Sequence, residues 1–290
     1  MTLDTLQLAT LAAVVDEGSF EAAARVLHVT PSAVSQRVKA LEQAVGQVLV
    51  RRARPCRPTA AGRPLLRLAG QIAVLEREAL AAAGSWTRAA IVVNADSLAT
   101  WFLPALTAVG GEVLFDVRED DQDHTAEWLR DGTVLAAVTA QREPVQGCRA
   151  DRLGSMRYVA TAAPAFAARH FPAGGTPEEF ASAPMLLLDR KDRLQHRFLR
   201  TVTRRRLDPP IHYVASAWGF TEAIRLGLGW GLMPERTAAT DLAAGHAVRL
   251  APTRQLDVPL YWQHWRLDST VLATLTAAVR SAAAAALRPR

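Results

Sequence analysis

The sequence predicts an α+β protein in three parts: a small, mostly helical winged helix-turn-helix domain, one long linker helix, and a larger α/β region. Three observations carry this. Residues 17–42, EGSFEAAARVLHVTPSAVSQRVKALE, have the spacing of two short helices joined by a tight turn. Residues 59–84 keep a heptad-like apolar seam. From Ala89 onward, short apolar runs alternate with helical stretches, the pattern of parallel sheets covered by helices.

Leu8, Leu11 and Val14 mark a first helix that closes a three-helix core. Ser19 starts a second helix over residues 20–28, because its hydroxyl can accept from a free backbone N–H. Ala23, Ala24 and Leu27 give that helix a small inner face for close packing. Thr30 then Pro31 start a third helix: a capping hydroxyl, followed by a residue whose missing N–H is not needed there. Val34, Val38 and Leu41 face the core, leaving Ser32, Ser35, Gln36, Arg37 and Lys39 outside. A helix-turn-helix offers the first residues of its second helix to base edges. An ordinary pair of packed amphipathic helices has the same spacing. After Gly46, VLVRRARPCRPTAAG reads as a strand, a turn and a return carrying Arg51, Arg52, Arg54 and Arg57. Cations so close repel unless an anion such as a phosphate backbone neutralises them; the alternative is a solvated loop.

Composition points the same way. The chain has 290 residues, half of them hydrophobic, and a net charge of +6. Its isoelectric point near 10.1 favours a polyanionic partner. No run resembles a signal peptide or is long enough to span a membrane, so a cytoplasmic location is expected. Cys56 and Cys148 lie far apart and read as free thiols. The histidines are scattered, and no nucleophile-elbow sequence is present. No catalytic residue, metal or cofactor is therefore expected. The glycines of 227–231 lack the strand-then-helix order of a phosphate loop.

Leu65, Leu68, Ile72, Leu75 and Ala79 form the seam of the long helix. It must be buried, against its own chain or against a second copy. Strands are expected in the runs starting at Ile91, Glu112, Leu135, Met156, Pro184, Ile211, Gly229 and Val258, with a last helix over 268–287.

The pattern Leu8-x-x-Leu11-x-x-Val14, Gly18-Ser19-Phe20, Ala23-Ala24, Leu27, Ser32-Ala33-Val34-Ser35, Lys39, Leu41-Glu42, Gly46 and Thr59-x-x-Gly62 resembles the amino-terminal domain of LysR-type transcriptional regulators. Val50 stands where that family usually has Phe, and Pro58 where it usually has Leu. The resemblance implies double-stranded DNA as partner, a homodimer or tetramer joined through the linker helix, and contact with RNA polymerase. Pro31, Ser32, Ser35 and Gln36 are the expected base contacts; Thr30, Arg37, Lys39, Arg51, Arg52 and Arg57 the expected phosphate contacts. It also implies a two-lobed effector domain like a periplasmic binding protein. The expected segments are 1–58 (DNA-binding), 59–86 (linker and dimerisation), 87–162 with 265–290 (lobe I) and 163–264 (lobe II).

A cleft between two such lobes would take a small ligand at the carboxyl ends of the strands. Asn94-Ala95-Asp96-Ser97 ends a strand and opens a helix, which suits a carboxylate. Glu119, Asp120, Asp121 and Asp123 follow the second strand, and Thr139 the third. Ser216, Ala217 and Trp218 open another helix. This fits a zwitterion with an extra positive charge; equally, the acidic cluster is a solvated turn and Ser97 only a cap. The runs NADSLATWFLPAL, LGSMRYVATAAPAF, AIRLGLGWGLMPE and LYWQHWRL resemble the ArgP/LysG branch of the family. That branch senses lysine or arginine and activates a gene for basic amino-acid export. By that likeness the effector is L-lysine or L-arginine, touched by Asp96, Ser97, Asp120, Asp121, Thr139, Asp189, Ser216 and Trp218. Two other functions fit less of the chain: a nucleoid-coating protein without sequence preference, and a solute-binding or enzymatic domain fused to a DNA-binding module.

Overall fold

The computed structural model describes residues 3–80, 87–110, 113–120 and 125–289. The chain opens with α1 (Thr5–Asp16), α2 (Phe20–Val26), α3 (Pro31–Val45), β1 (Val50–Arg51), β2 (Arg57–Pro58) and α4 (Gly62–Leu80). It continues through β3 (Thr87–Val93) into a helical run made of α5 (Ala95–Ser97), a π turn (Leu98–Phe102) and α6 (Leu103–Val109). Then come β4 (Val113–Glu119), α7 (Thr125–Asp131), β5 (Ala136–Thr139), β6 (Cys148–Ala162), α8 (Pro164–His170) and α9 (Pro177–Ser182). The remainder is β7 (Met185–Leu187), α10 (Leu194–Val202), β8 (Ile211–Tyr213), α11 (Ala217–Arg225), β9 (Gly231–Pro234), α12 (Glu235–Ala243), β10 (Val248–Arg249), β11 (Leu256–Trp265) and α13 (Thr270–Ala286).

The start and stop of α3 follow from its caps. Thr30 Oγ1 accepts from the Ala33 N–H at 3.2 Å, Pro31 opens the helix, and Gly46 closes it with φ of 76°. Val34, Val38 and Leu41 are buried with Leu8, Leu11, Val14, Ala23, Ala24 and Leu49. The second helix stops at Val26, short of the expected 28, because His28 turns left-handed at φ of 53°. In the wing, Val50 pairs with Pro58 and Arg51 with Arg57. The two departures from the family pattern are thus cross-strand partners.

Thr59 fixes where α4 begins. Its hydroxyl donates to the Val48 carbonyl at 2.7 Å and accepts from the Gly62 N–H at 3.1 Å. A side chain at Gly62 would place Cβ 2.1 Å from the Leu49 carbonyl oxygen. The Thr-x-x-Gly spacing therefore has a steric reason. The helix starts three residues later than expected for that reason, and its expected end at 81–84 lies outside the described residues.

By contact the chain forms two compact units. One comprises Met1–Val93, Leu106–Asp151 and Trp262–Val279; the other comprises Asn94–Ala105, Arg152–Tyr261 and Arg280–Arg290. The sequence-based segments divide the chain by role, and these units divide it by packing.

In the first unit, β3 pairs in parallel with β4 and with β5. Ala89, Val92, Ala126, Leu129, Val134, Ala137 and Trp265 form its core, joined by Val74 of α4. The linker helix is held there by an Arg63–Asp131 ion pair at 2.8 Å. Near its end, Glu78 accepts from Ser269 Oγ at 2.5 Å and from the Val271 N–H at 3.0 Å, capping α13. Leu66, Ala69 and Val74 of α4 are buried against their own chain, and Leu65, Leu68 and Ile72 pack in part against the amino-terminal core. Of the expected seam, Leu65, Leu68 and Ile72 are half-buried and Leu75 is exposed.

In the second unit, β7 and β8 pair in parallel as expected. β6, however, pairs antiparallel with β9 and β10, which corrects the expectation of purely parallel sheets. At 15 residues β6 is long enough to carry both return strands. Val159, Leu186, Phe220, Ile224, Met233 and Ala238 are buried together. Residues 227–231 form the turn from α11 into β9, with Trp230 buried. Among the described residues, no helix is long and apolar enough to cross a membrane.

Candidate functional sites

The polar side of α3 is open to solvent. Pro31, Ser32, Gln36 and Lys39 are exposed, Ser35 and Arg37 half-buried. Thr30 is exposed, but its hydroxyl is engaged: it caps the helix and lies 2.9 Å from Ser32 Oγ. The positive end of the helix dipole faces the same region, which favours an anion.

The wing extends this surface. Arg51, Arg52, Arg54 and Arg57 are all exposed. Arg52 lies over the Phe20 ring, 4.6 Å from its centroid, and donates to Ser35 Oγ at 3.3 Å. It thereby ties the wing to the first turns of α3. Arg51 and Arg57 face each other across the strand pair. Like charges directly opposite are destabilising; an anion placed against both relieves the repulsion.

The second unit holds five of the expected effector residues, Asp96, Ser97, Asp189, Ser216 and Trp218. Asn94 and Ser97 are buried at the start of the helical run, with relative exposures of 4% and 0%. Asn94 Oδ1 and Ser97 Oγ have no hydrogen-bond partner among the described residues. Asp96 Oδ2 accepts from Tyr158 Oη at 2.7 Å. The π turn follows at once, a rare device found frequently at functional sites. Ser216 accepts from the Gly219 N–H at 3.3 Å and so caps α11, while Trp218 is 75% exposed. Asp189 is exposed, and its Oδ1 accepts from the N–H groups of Lys191 and Asp192, a local turn.

The first unit holds Asp120 and Thr139 at the carboxyl ends of the strands flanking β3. Asp120 Oδ2 accepts from Trp128 Nε1 at 2.7 Å, and the buried Thr139 accepts from the Gln141 N–H at 3.1 Å. Asp121 lies outside the described residues. Cys56 and Cys148 are free and buried. Burial pushes both thiols up, Cys148 to about 11, so neither is a ready nucleophile.

One residue beside this site, Tyr158, carried no local signal. It reaches Asp96 from β6, 62 positions away in the chain. Asn94 reads as an ordinary helix cap, and only its unsatisfied oxygen sets it apart.

An open polar helix beside an arginine hairpin, on a chain that also carries a larger α/β part with buried unpaired polar groups, defines a DNA-binding regulator with a ligand-binding domain. A family model described as "Bacterial regulatory helix-turn-helix protein, lysR family" matches residues 6–63, and one described as "LysR substrate binding domain" matches residues 86–284. The chain belongs to the LysR family of transcriptional regulators. It is 54% identical over 291 residues to the HTH-type transcriptional regulator LysG of Mycobacterium tuberculosis, covering 99% of this chain and 95% of that protein. It is 44% identical over 297 residues to the lysine export transcriptional regulatory protein LysG of Corynebacterium glutamicum, covering 99% of this chain and 100% of that one. The crystal structure of ArgP from Mycobacterium tuberculosis superposes with a TM-score of 0.90 at 54% identity, over 100% of both chains. Full-length LysG of Corynebacterium glutamicum with bound effector Arg superposes with a TM-score of 0.79 at 43% identity, over 99% of this chain and 100% of that one.

Proposed function

We propose that this regulator binds L-arginine or L-lysine and in response controls a gene for basic amino-acid export. The observation that carries the proposal is the helix start of the second unit. There a buried Ser97 hydroxyl waits unpaired beside an Asp96 carboxylate oriented by Tyr158. A hydroxyl donor suits the ligand's carboxylate, and a carboxylate suits its cationic groups. A relative supports the ligand class, since LysG of Corynebacterium glutamicum is named for lysine export and was solved with arginine. The protein acts by binding, without catalysis or cofactor, and as at least a dimer. Leu65, Leu68, Ile72 and Leu75 keep an apolar edge on α4 that a second copy would cover. Two copies of α3 would then meet two half-sites of a near-palindrome. The ligand shifts a pre-existing equilibrium between arrangements of those copies by binding one of them better.

Calorimetric titration of the full-length protein with L-arginine and L-lysine tests this. The wild type should release or absorb heat with at least one of them. Ser97→Ala and Asp96→Asn should each weaken that binding by about tenfold or more, the scale of a lost hydrogen bond to a charged group. Unchanged affinity in both variants would remove these residues from the site. No heat from the wild type with either amino acid would overturn the effector assignment.

A further inference from the structure

Asn94 occupies the N-cap position before α5, in the extended conformation expected there, with φ of −69° and ψ of 147°. A polar N-cap residue normally turns its side-chain oxygen onto a free N–H of the first turn. At several other helix starts among the described residues it does so. Asp4, Ser19, Thr30, Thr176 and Ser216 each accept from a backbone N–H at 2.8–3.3 Å. Asn94 makes no such bond. Among the described residues its Oδ1 is instead buried without a partner, as is Ser97 Oγ three residues on. Leaving a buried acceptor unpaired costs its full desolvation, and most such groups in native structures find a protein, water or ligand partner.

The two orphan atoms differ in what they lack. Asn94 Oδ1 is an acceptor and needs a donor. Ser97 Oγ can donate and suits an anion. A single small head group carrying both an ammonium and a carboxylate on neighbouring atoms satisfies the pair. We infer that Asn94 is a specificity-determining residue that accepts a hydrogen bond from the α-ammonium of an amino-acid effector while Ser97 donates to its carboxylate. This rests on the effector reading above and adds what that reading leaves open: the part of the ligand that must be present whichever basic side chain it carries. An analogue without the α-amino group would set a methylene against Asn94 Oδ1 and leave the acceptor unpaired. A site built to hydrogen-bond a group rejects the analogue lacking it more strongly than a merely apolar pocket could.

The test is a calorimetric comparison of L-arginine with 5-guanidinopentanoate, which is arginine without its α-amino group, on full-length wild type, Asn94→Ala and Asn94→Asp. The wild type should prefer arginine by about tenfold or more. Asn94→Ala should bind arginine more weakly and shrink the preference to about threefold or less, because the unpaired acceptor is gone. Asn94→Asp keeps an acceptor and should retain the preference. A wild-type preference kept intact in Asn94→Ala overturns the inference. So does a wild type that binds both compounds equally, an outcome that leaves the effector assignment standing and needs no variant to fold. Failure of the wild type to bind either arginine or lysine overturns both.

Discussion

Replacing Gly62 with alanine is expected to destabilise the protein by about 3 kcal/mol, at the upper end for forcing an added methyl into a packed site. The new Cβ would meet the Leu49 carbonyl oxygen at 2.1 Å and its carbon at 3.0 Å. Both are backbone atoms, so no rotamer change relieves the clash. Nor can α4 slide away, because Thr59 is bonded to both Val48 and Gly62. The domain would have to separate its wing from its linker helix. Gly46→Ala is the control. Unlike Gly62, that residue carries a positive φ, 76°, and nothing stands within 4 Å of its missing Cβ. Only the left-handed conformation is penalised there, by about 1–2 kcal/mol. Urea unfolding monitored by circular dichroism should separate the two variants clearly. Equal midpoints would show that the Thr59–Gly62 corner yields, and the steric account of the spacing would be wrong.

The double substitution Arg51→Gln, Arg57→Gln should weaken DNA binding while leaving the free protein at least as stable. The two guanidinium-bearing residues are cross-strand partners in a two-stranded wing, both exposed. Opposed like charges cost a few tenths of a kcal/mol up to about 1 kcal/mol in the free protein, and their removal returns it. On DNA each charge that neutralises a phosphate contributes about 0.9 to the slope of log K against log salt. Loss of both should lower that slope by about 2 and reduce affinity uniformly across operator and random sequences. Thermal melts and fluorescence anisotropy over a salt series give the two readouts. A fall in melting temperature with an unchanged salt slope would mean that the arginines serve the fold and not the phosphates. Arg52 is excluded from the pair because it also orients Ser35 and stacks on Phe20.

The amino-terminal domain was legible because its signals are local. Thr30-Pro31 and Gly46 bracket α3 through cap geometry that acts within four residues, and Val34, Val38 and Leu41 are its buried face. The linker helix was legible in part. Its heptad pattern picks out Leu65, Leu68, Ile72 and Leu75, of which the first three are half-buried against the amino-terminal core, while the fully buried face is Leu66, Ala69 and Val74, one step round the helix. A helix with two apolar faces shows the regular one first. In the α/β region the expected strand runs all form strands. The first half of β6 was missed because CRADRLGS is polar, and β10 because two residues make no pattern. Asp189 is expected only from the family likeness, and its side chain accepts from the N–H groups of Lys191 and Asp192 in a local turn. Tyr158 against Asp96 is a long-range pairing that no spacing rule announces.

The most direct test of the whole account concerns Gln36, exposed on the second turn of α3. Affinities of wild type and Gln36→Ala for the protein's own promoter region and for a scrambled duplex should be measured at one fixed salt concentration. The wild type should prefer the promoter by at least about a thousandfold. Gln36→Ala should lose about 1–3 kcal/mol of that preference while holding the scrambled duplex as well as before. Equal binding of both duplexes by the wild type, or an undiminished preference in the variant, would contradict sequence reading by this helix.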